Sequence, residues 1–96
     1  MSDQLIAPPR IFRVSLKTAE GRSFWRWIKA PYQVKSPADW ADSLEGMQKA
    51  LADLVLTGTI TRFTISRVPS ERINASVRSH LVRWSEAQVG IFAGGI

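Results

Sequence analysis

In the stretch RIFRVSLK, residues 10 to 17, Phe12, Val14 and Leu16 fall on one parity and Arg13, Ser15 and Lys17 on the other. Successive side chains of a strand point to opposite faces, so this alternation predicts a half-buried β-strand. TAEG breaks the pattern and RSFWRWIKA resumes it, with Gly21 suited to the left-handed conformation that closes a short hairpin loop. Pro31 and Pro37 interrupt further pairing. Ser36, with an acid three residues on at Asp39 and a proline between them, forms a capping box that starts a helix. Trp40, Leu44, Met47, Leu51, Leu54 and Val55 then recur at steps of three and four, which predicts a helix from about Pro37 to Thr57 ended by Gly58.

Phe63 and Ile65 alternate with Arg62, Thr64 and Ser66 in TITRFTISRV, predicting a third strand. After Pro69, Ile73, Val77, Leu81 and Trp84 lie on one helical stripe, with Ser70 available as a cap, so a second helix is expected from about Ser70 to Gln88. A strand over residues 75 to 84 competes, but it would send Val77 and Leu81 to one face and Val82 and Trp84 to the other. VGIFAGGI, at the end, is apolar and glycine-rich. It reads either as a short terminal strand or as a docking tail, which would cover an exposed core edge or make a self-association contact giving a homo-oligomer through the C-terminal tail.

The fold class that follows is α+β: a β-hairpin, helix, strand and helix (ββαβα), with a small antiparallel or mixed sheet and helices packed on one face. Residues 1 to 9 form an N-terminal arm, 10 to 88 a single domain and 89 to 96 the tail. Over roughly residues 10 to 68 this order resembles the start of the β-grasp arrangement, in which a helix lies across one face of a mixed sheet, although no family motif accompanies the likeness.

Which face carries the aromatic rings of SFWRWIK depends on the hairpin register. With a three-residue AEG loop, Leu16 opposes Phe24 and Val14 opposes Arg26, leaving Arg13, Ser15, Lys17, Trp25, Trp27 and Lys29 on the other face. With a four-residue TAEG loop, Trp25 and Trp27 join Phe12, Val14 and Leu16 under the helix, and Phe24 and Arg26 turn outward. The second register is the expectation, because it buries both indoles, at roughly 25 cal/mol per Å², and keeps Arg26 out of the core. Either way one face of the sheet is basic and carries at least one ring.

Charge sharpens this picture. The chain has 96 residues, a formal net charge of +5 and no cysteine. Residues 10 to 35 hold seven cations against one anion, residues 36 to 57 one cation against four anions, and residues 58 to 96 five against two. Segregation of this kind attracts a polyanion to one side and turns it away from the other; an ordinary solvated surface is the plainer explanation. Without cysteine there is no disulfide framework and no thiol nucleophile. No secretory leader or apolar span is evident, so a cytoplasmic protein that does not enter membranes is expected.

Catalytic chemistry finds little support. His80 is the single histidine, and at the border of an apolar stripe it reads as a partly buried, hydrogen-bonded side chain. Ser76 precedes it by one turn, but no third group is placed to orient the ring. Asp39, Asp42 and Glu45 read as a cap and a solvated helix face, so no metal and no cofactor is expected. The functional expectation is a non-enzymatic binding module whose basic, ring-bearing sheet face docks on nucleic acid. The alternative is a protein-interaction module that meets an acidic protein surface, such as a small phage or mobile-element inhibitor or assembly subunit of a nucleic-acid-handling complex. Arg13, Lys17, Arg22, Phe24, Arg26, Lys29 and Arg62 are the candidate contact residues.

Overall fold

The computed structural model describes residues 10–92. The proposed arm at residues 1 to 9 and the last four residues of the tail lie outside the described residues. Strands β1 (Ile11–Thr18) and β2 (Ser23–Lys29) form the expected hairpin, and β3 (Ile60–Arg67) pairs with the other side of β1. The sheet order is β2-β1-β3 and both pairings are antiparallel, so the mixed sheet of the β-grasp likeness is not what forms here. β2 and β3 therefore run the same way on either side of β1, and the connection between them crosses one face of the sheet, a split βαβ unit.

That connection holds α1 (Pro37–Ala41) and α2 (Leu44–Leu56), not one continuous helix. Ser36 caps α1 by accepting from the Asp39 amide at 3.1 Å, while the Asp39 carboxylate reaches back to the Lys35 amide at 3.1 Å. The capping box thus forms with its return bond one residue early. The chain turns at Asp42, and Ser43 caps α2 by accepting from the Gly46 amide at 3.2 Å. A Cβ at Gly46 would lie 2.1 Å from the Trp40 carbonyl oxygen, so the corner closes only around glycine.

The expected second helix is also divided. A 3₁₀ turn (Ser70–Arg72), α3 (Ala75–Ser79) and α4 (Trp84–Phe92) replace it, and Asn74, not Ser70, caps α3 by accepting from the Val77 amide. Between α3 and α4 the backbone is extended, and Val82 bridges β2 through Val82 N–H to the Trp27 carbonyl at 3.2 Å and Lys29 N–H to the Val82 carbonyl at 3.0 Å. Residues 89 to 92 of the predicted tail belong to α4, where Ile91 is buried in the core.

The core lies on one side of the sheet, where Phe12, Val14, Leu16 and Ile28 meet Met47 and Leu51 of α2 and Trp84, Ala87 and Ile91 of α4. A bulge between Lys17 and Thr18 puts Thr61 out of register, which turns Ile60 inward to join them. Each fully buried aliphatic side chain in this set contributes about 1.5–3 kcal/mol. The other side of the sheet carries no helix of this core; the segment from Val68 to α3, with Val77 buried, borders only its end near Arg13, Trp27 and Ser66.

Candidate functional site

The hairpin adopts the three-residue loop. Thr18 N–H donates to the Arg22 carbonyl at 2.8 Å, Gly21 N–H returns to the Thr18 carbonyl at 3.0 Å, and Gly21 takes φ +90. Leu16 opposes Phe24, Val14 opposes Arg26 and Phe12 opposes Ile28. The expectation that Trp25 and Trp27 sit under the helix is therefore overturned. Phe24 packs against the core from its margin, and Arg22 lines a depression beside Phe24, Ile91 and Phe92 on the helix side.

Arg26 explains how this register is tolerated. β2 is an edge strand, so the half-buried Arg26 side chain can leave the core side over that edge, and its guanidinium donates to the Trp25 carbonyl at 2.7 Å. The charge never has to enter the core. The two indoles, freed from the core, contact each other edge to face with centroids 4.8 Å apart, and the Arg13 guanidinium lies 4.7 Å over the Trp25 ring. Trp25 remains 43% exposed.

The open face is thus built by alternation from three strands. β1 supplies Arg13, Ser15 and Lys17; β2 supplies Trp25, Trp27 and Lys29; β3 supplies Arg62, Thr64 and Ser66, placed opposite Lys17, Ser15 and Arg13. Of the seven sequence-predicted contact residues, strand alternation assigns Arg13, Lys17, Lys29 and Arg62 to this face. Phe24 reaches the same depression as Arg13, Lys17 and Arg62 from the sheet's other side, Arg26 lines the groove along β2, and Arg22 lines the depression on the helix side instead. Lys17 and Arg62 are directly opposed cations, an arrangement that costs stability unless an anion lies between them. Arg13 does bond to Ser15 Oγ, at 3.2 Å, yet none of these four cations is in an ion pair with a carboxylate among the described residues.

Three depressions run together across this face through shared residues. A smaller one over the strands, of about 330 Å³, contains Arg13, Lys17, Trp25 and Arg62. A second, of about 700 Å³, shares Arg13 and Trp27 and continues to Arg67, Arg72 and Asn74. A third, also of about 700 Å³, runs along the outer edge of β2 between Trp25, Arg26 and Trp27 and the 79–82 segment. Glu71 is the one carboxylate that lines any of the three among the described residues.

The acids are engaged elsewhere. Asp42, expected on a solvated helix face, is buried and accepts from Arg83 Nε at 2.7 Å and from the Ser85 amide at 2.9 Å. Asp39 accepts from Arg83 at 3.2 Å. The Lys35 amide, and after it the Arg83 guanidinium, hold the Asp39 carboxyl below its ordinary value of 3.8. Sequence reasoning missed this cluster, since nothing in the spacing of Asp42 and Arg83 announces that the two ends of the helical layer meet.

His80 is exposed at the end of α3, not partly buried as expected. Its Nδ1 lies 2.8 Å from the Ser76 carbonyl oxygen and 3.1 Å from Ser79 Oγ, so its contact with Ser76 is to the backbone and not to the hydroxyl. Its ring stands 6.2 Å from that of Trp27. Among the described residues no group of three acidic, histidine or cysteine side chains is placed to hold a metal ion, and no helix is long and apolar enough to cross a membrane. Compared with known proteins, the chain matches no family model, no curated protein and no solved structure.

Proposed function

We propose that the protein is a non-enzymatic binding module that docks nucleic acid on the open face of its sheet. The observation that carries this reading is one sheet face to which alternation assigns Arg13, Lys17, Lys29 and Arg62 together with Trp25 and Trp27, where none of the four cations is in an ion pair with a carboxylate among the described residues. Cations positioned by strands neutralise phosphates, and rings on the same surface offer a platform to bases. The stack of Arg13 on Trp25 pre-orients both groups.

The test is binding of a short fluorescent oligonucleotide across a salt series. Four phosphate contacts give a slope of log K against log salt of about −3 on a single strand. Arg13→Ala and Arg62→Ala should each weaken binding and shallow that slope by about 1, whereas Lys49→Ala, on α2 and paired with Asp53, should leave both unchanged. Binding that is indifferent to salt and to both arginines overturns the reading. The second reading, docking of an acidic protein surface, draws on the same ring pair and arginine, which are the residue types that anchor interfaces. It is favoured if a partner captured from the native host is lost on Trp25→Ala while oligonucleotides fail to compete for it.

A further inference from the structure

We infer that the groove along the outer edge of β2 is a pocket for one unpaired nucleobase, so that the ligand of the open face is a single strand and not a duplex; this rests on the nucleic-acid reading above. The groove's volume of about 700 Å³ falls within the range of small-molecule sites. Trp25 and Trp27 form one wall and His80, Leu81 and Val82 the other, so both sides offer planar or apolar surface to a flat heterocycle.

The rim is polar in a way that suits a base edge. Val82 pairs with the Trp27 carbonyl and the Lys29 amide and goes no further, so the outward-facing amides of Trp25 and Trp27 take no partner across that edge among the described residues. They are fixed donors for ring nitrogens or carbonyls of a base. With Nδ1 of His80 held at the Ser76 carbonyl, its Nε2 is turned away from that bond. Arg26 lines the groove and Arg13 lies across Trp25, while no carboxylate among the described residues lines it. A phosphodiester passing from the pocket onto the face would thus meet cations on its way. A duplex keeps its bases stacked and presents none to such a slot.

The experiment compares four fluorescent probes on the full chain: a short mixed-sequence single strand, a strand of the same length made of abasic sites, the corresponding duplex, and a proline-rich peptide. The base-bearing strand should bind about 10-fold or more tightly than the abasic strand and quench tryptophan emission. The abasic strand and duplex should not quench. His80→Ala and Trp25→Ala, both at exposed positions, should bring the base-bearing strand down to abasic affinity, with thermal midpoints confirming that each variant folds. Arg62→Ala should weaken base-bearing and abasic strands alike. Equal, salt-sensitive binding of base-bearing and abasic strands overturns the pocket and leaves the docking face standing. Failure of every probe to bind overturns both. Quenching by a proline-rich peptide but not by the strand overturns the pocket in favour of a protein ligand.

Discussion

Asp42 sits almost wholly out of water at the corner between α1 and α2, and its two oxygens serve Arg83 and Ser85 at the start of α4. A buried carboxylate is tolerated when its lone pairs are taken up this way, and removing it strands the donors that it satisfied. Asp42→Ala should therefore lower stability by about 1–3 kcal/mol, read as a shift in the urea midpoint with an unchanged slope. Asp39 belongs to the same cluster but answers to pH. Its folded-state pKa lies below the ordinary 3.8, because the Lys35 amide and then Arg83 favour the carboxylate. The stability it adds is complete above the unfolded-state value and is lost as pH falls through the lower folded value. The thermal midpoint of the wild type should exceed that of Asp39→Asn at pH 6, and the two should converge as pH drops below 4. A constant difference down to pH 2 contradicts the assignment.

At the level of elements, the strands and the start of the first helix were legible because period-two alternation and the Ser36-Pro37-Asp39 cap are local signals. The hairpin register was not, because it turned on a comparison of two costs. Burying two indoles looked worth several kcal/mol at roughly 25 cal/mol per Å², and Arg26 among aliphatics looked expensive. An edge position removes the second cost, since the Arg26 side chain can leave the core side while its guanidinium reaches the Trp25 carbonyl. The indoles in turn cover each other and take Arg13 as a lid. The breaks at Asp42–Ser43 and at residues 80 to 83 were hidden for a related reason: an apolar stripe at helical spacing continues through both, and long-range partners interrupt it. Gly46 makes the first break testable. A Cβ added there would overlap the Trp40 carbonyl oxygen, which is backbone and has no rotamer by which to yield. Gly46→Ala should cost upward of about 3 kcal/mol or prevent folding, whereas Ala52→Gly, on an exposed turn of the same helix, should cost only about 1 kcal/mol.

Across the whole molecule, charge is divided by face: Arg13, Lys17, Lys29 and Arg62, with no carboxylate ion pair among the described residues, on the open side of the sheet, and acids on the α1–α2 layer behind it. Two tryptophans report on this division without any ligand. Trp25 is 43% exposed among the cations of the sheet face, and Trp40 is 42% exposed on α1 beside Asp39 and Ala41, so access is nearly the same for both and local potential is what differs. Trp84, 2% exposed, contributes little to quenching from solvent. Iodide is concentrated near positive surface and caesium near negative surface, in each case by the summed field and within a Debye length. Replacing Trp25 with Phe should therefore remove more of the iodide quenching than replacing Trp40 does, and the order should reverse for caesium. Acrylamide, which carries no charge, should quench the two variants alike. Raising the background salt to about 1 M shortens screening to about 3 Å and should erase the ionic preference while leaving acrylamide unaffected. If iodide and caesium ranked the two rings in the same order, the open face would carry no net positive potential, and a polyanion would have no electrostatic reason to choose it.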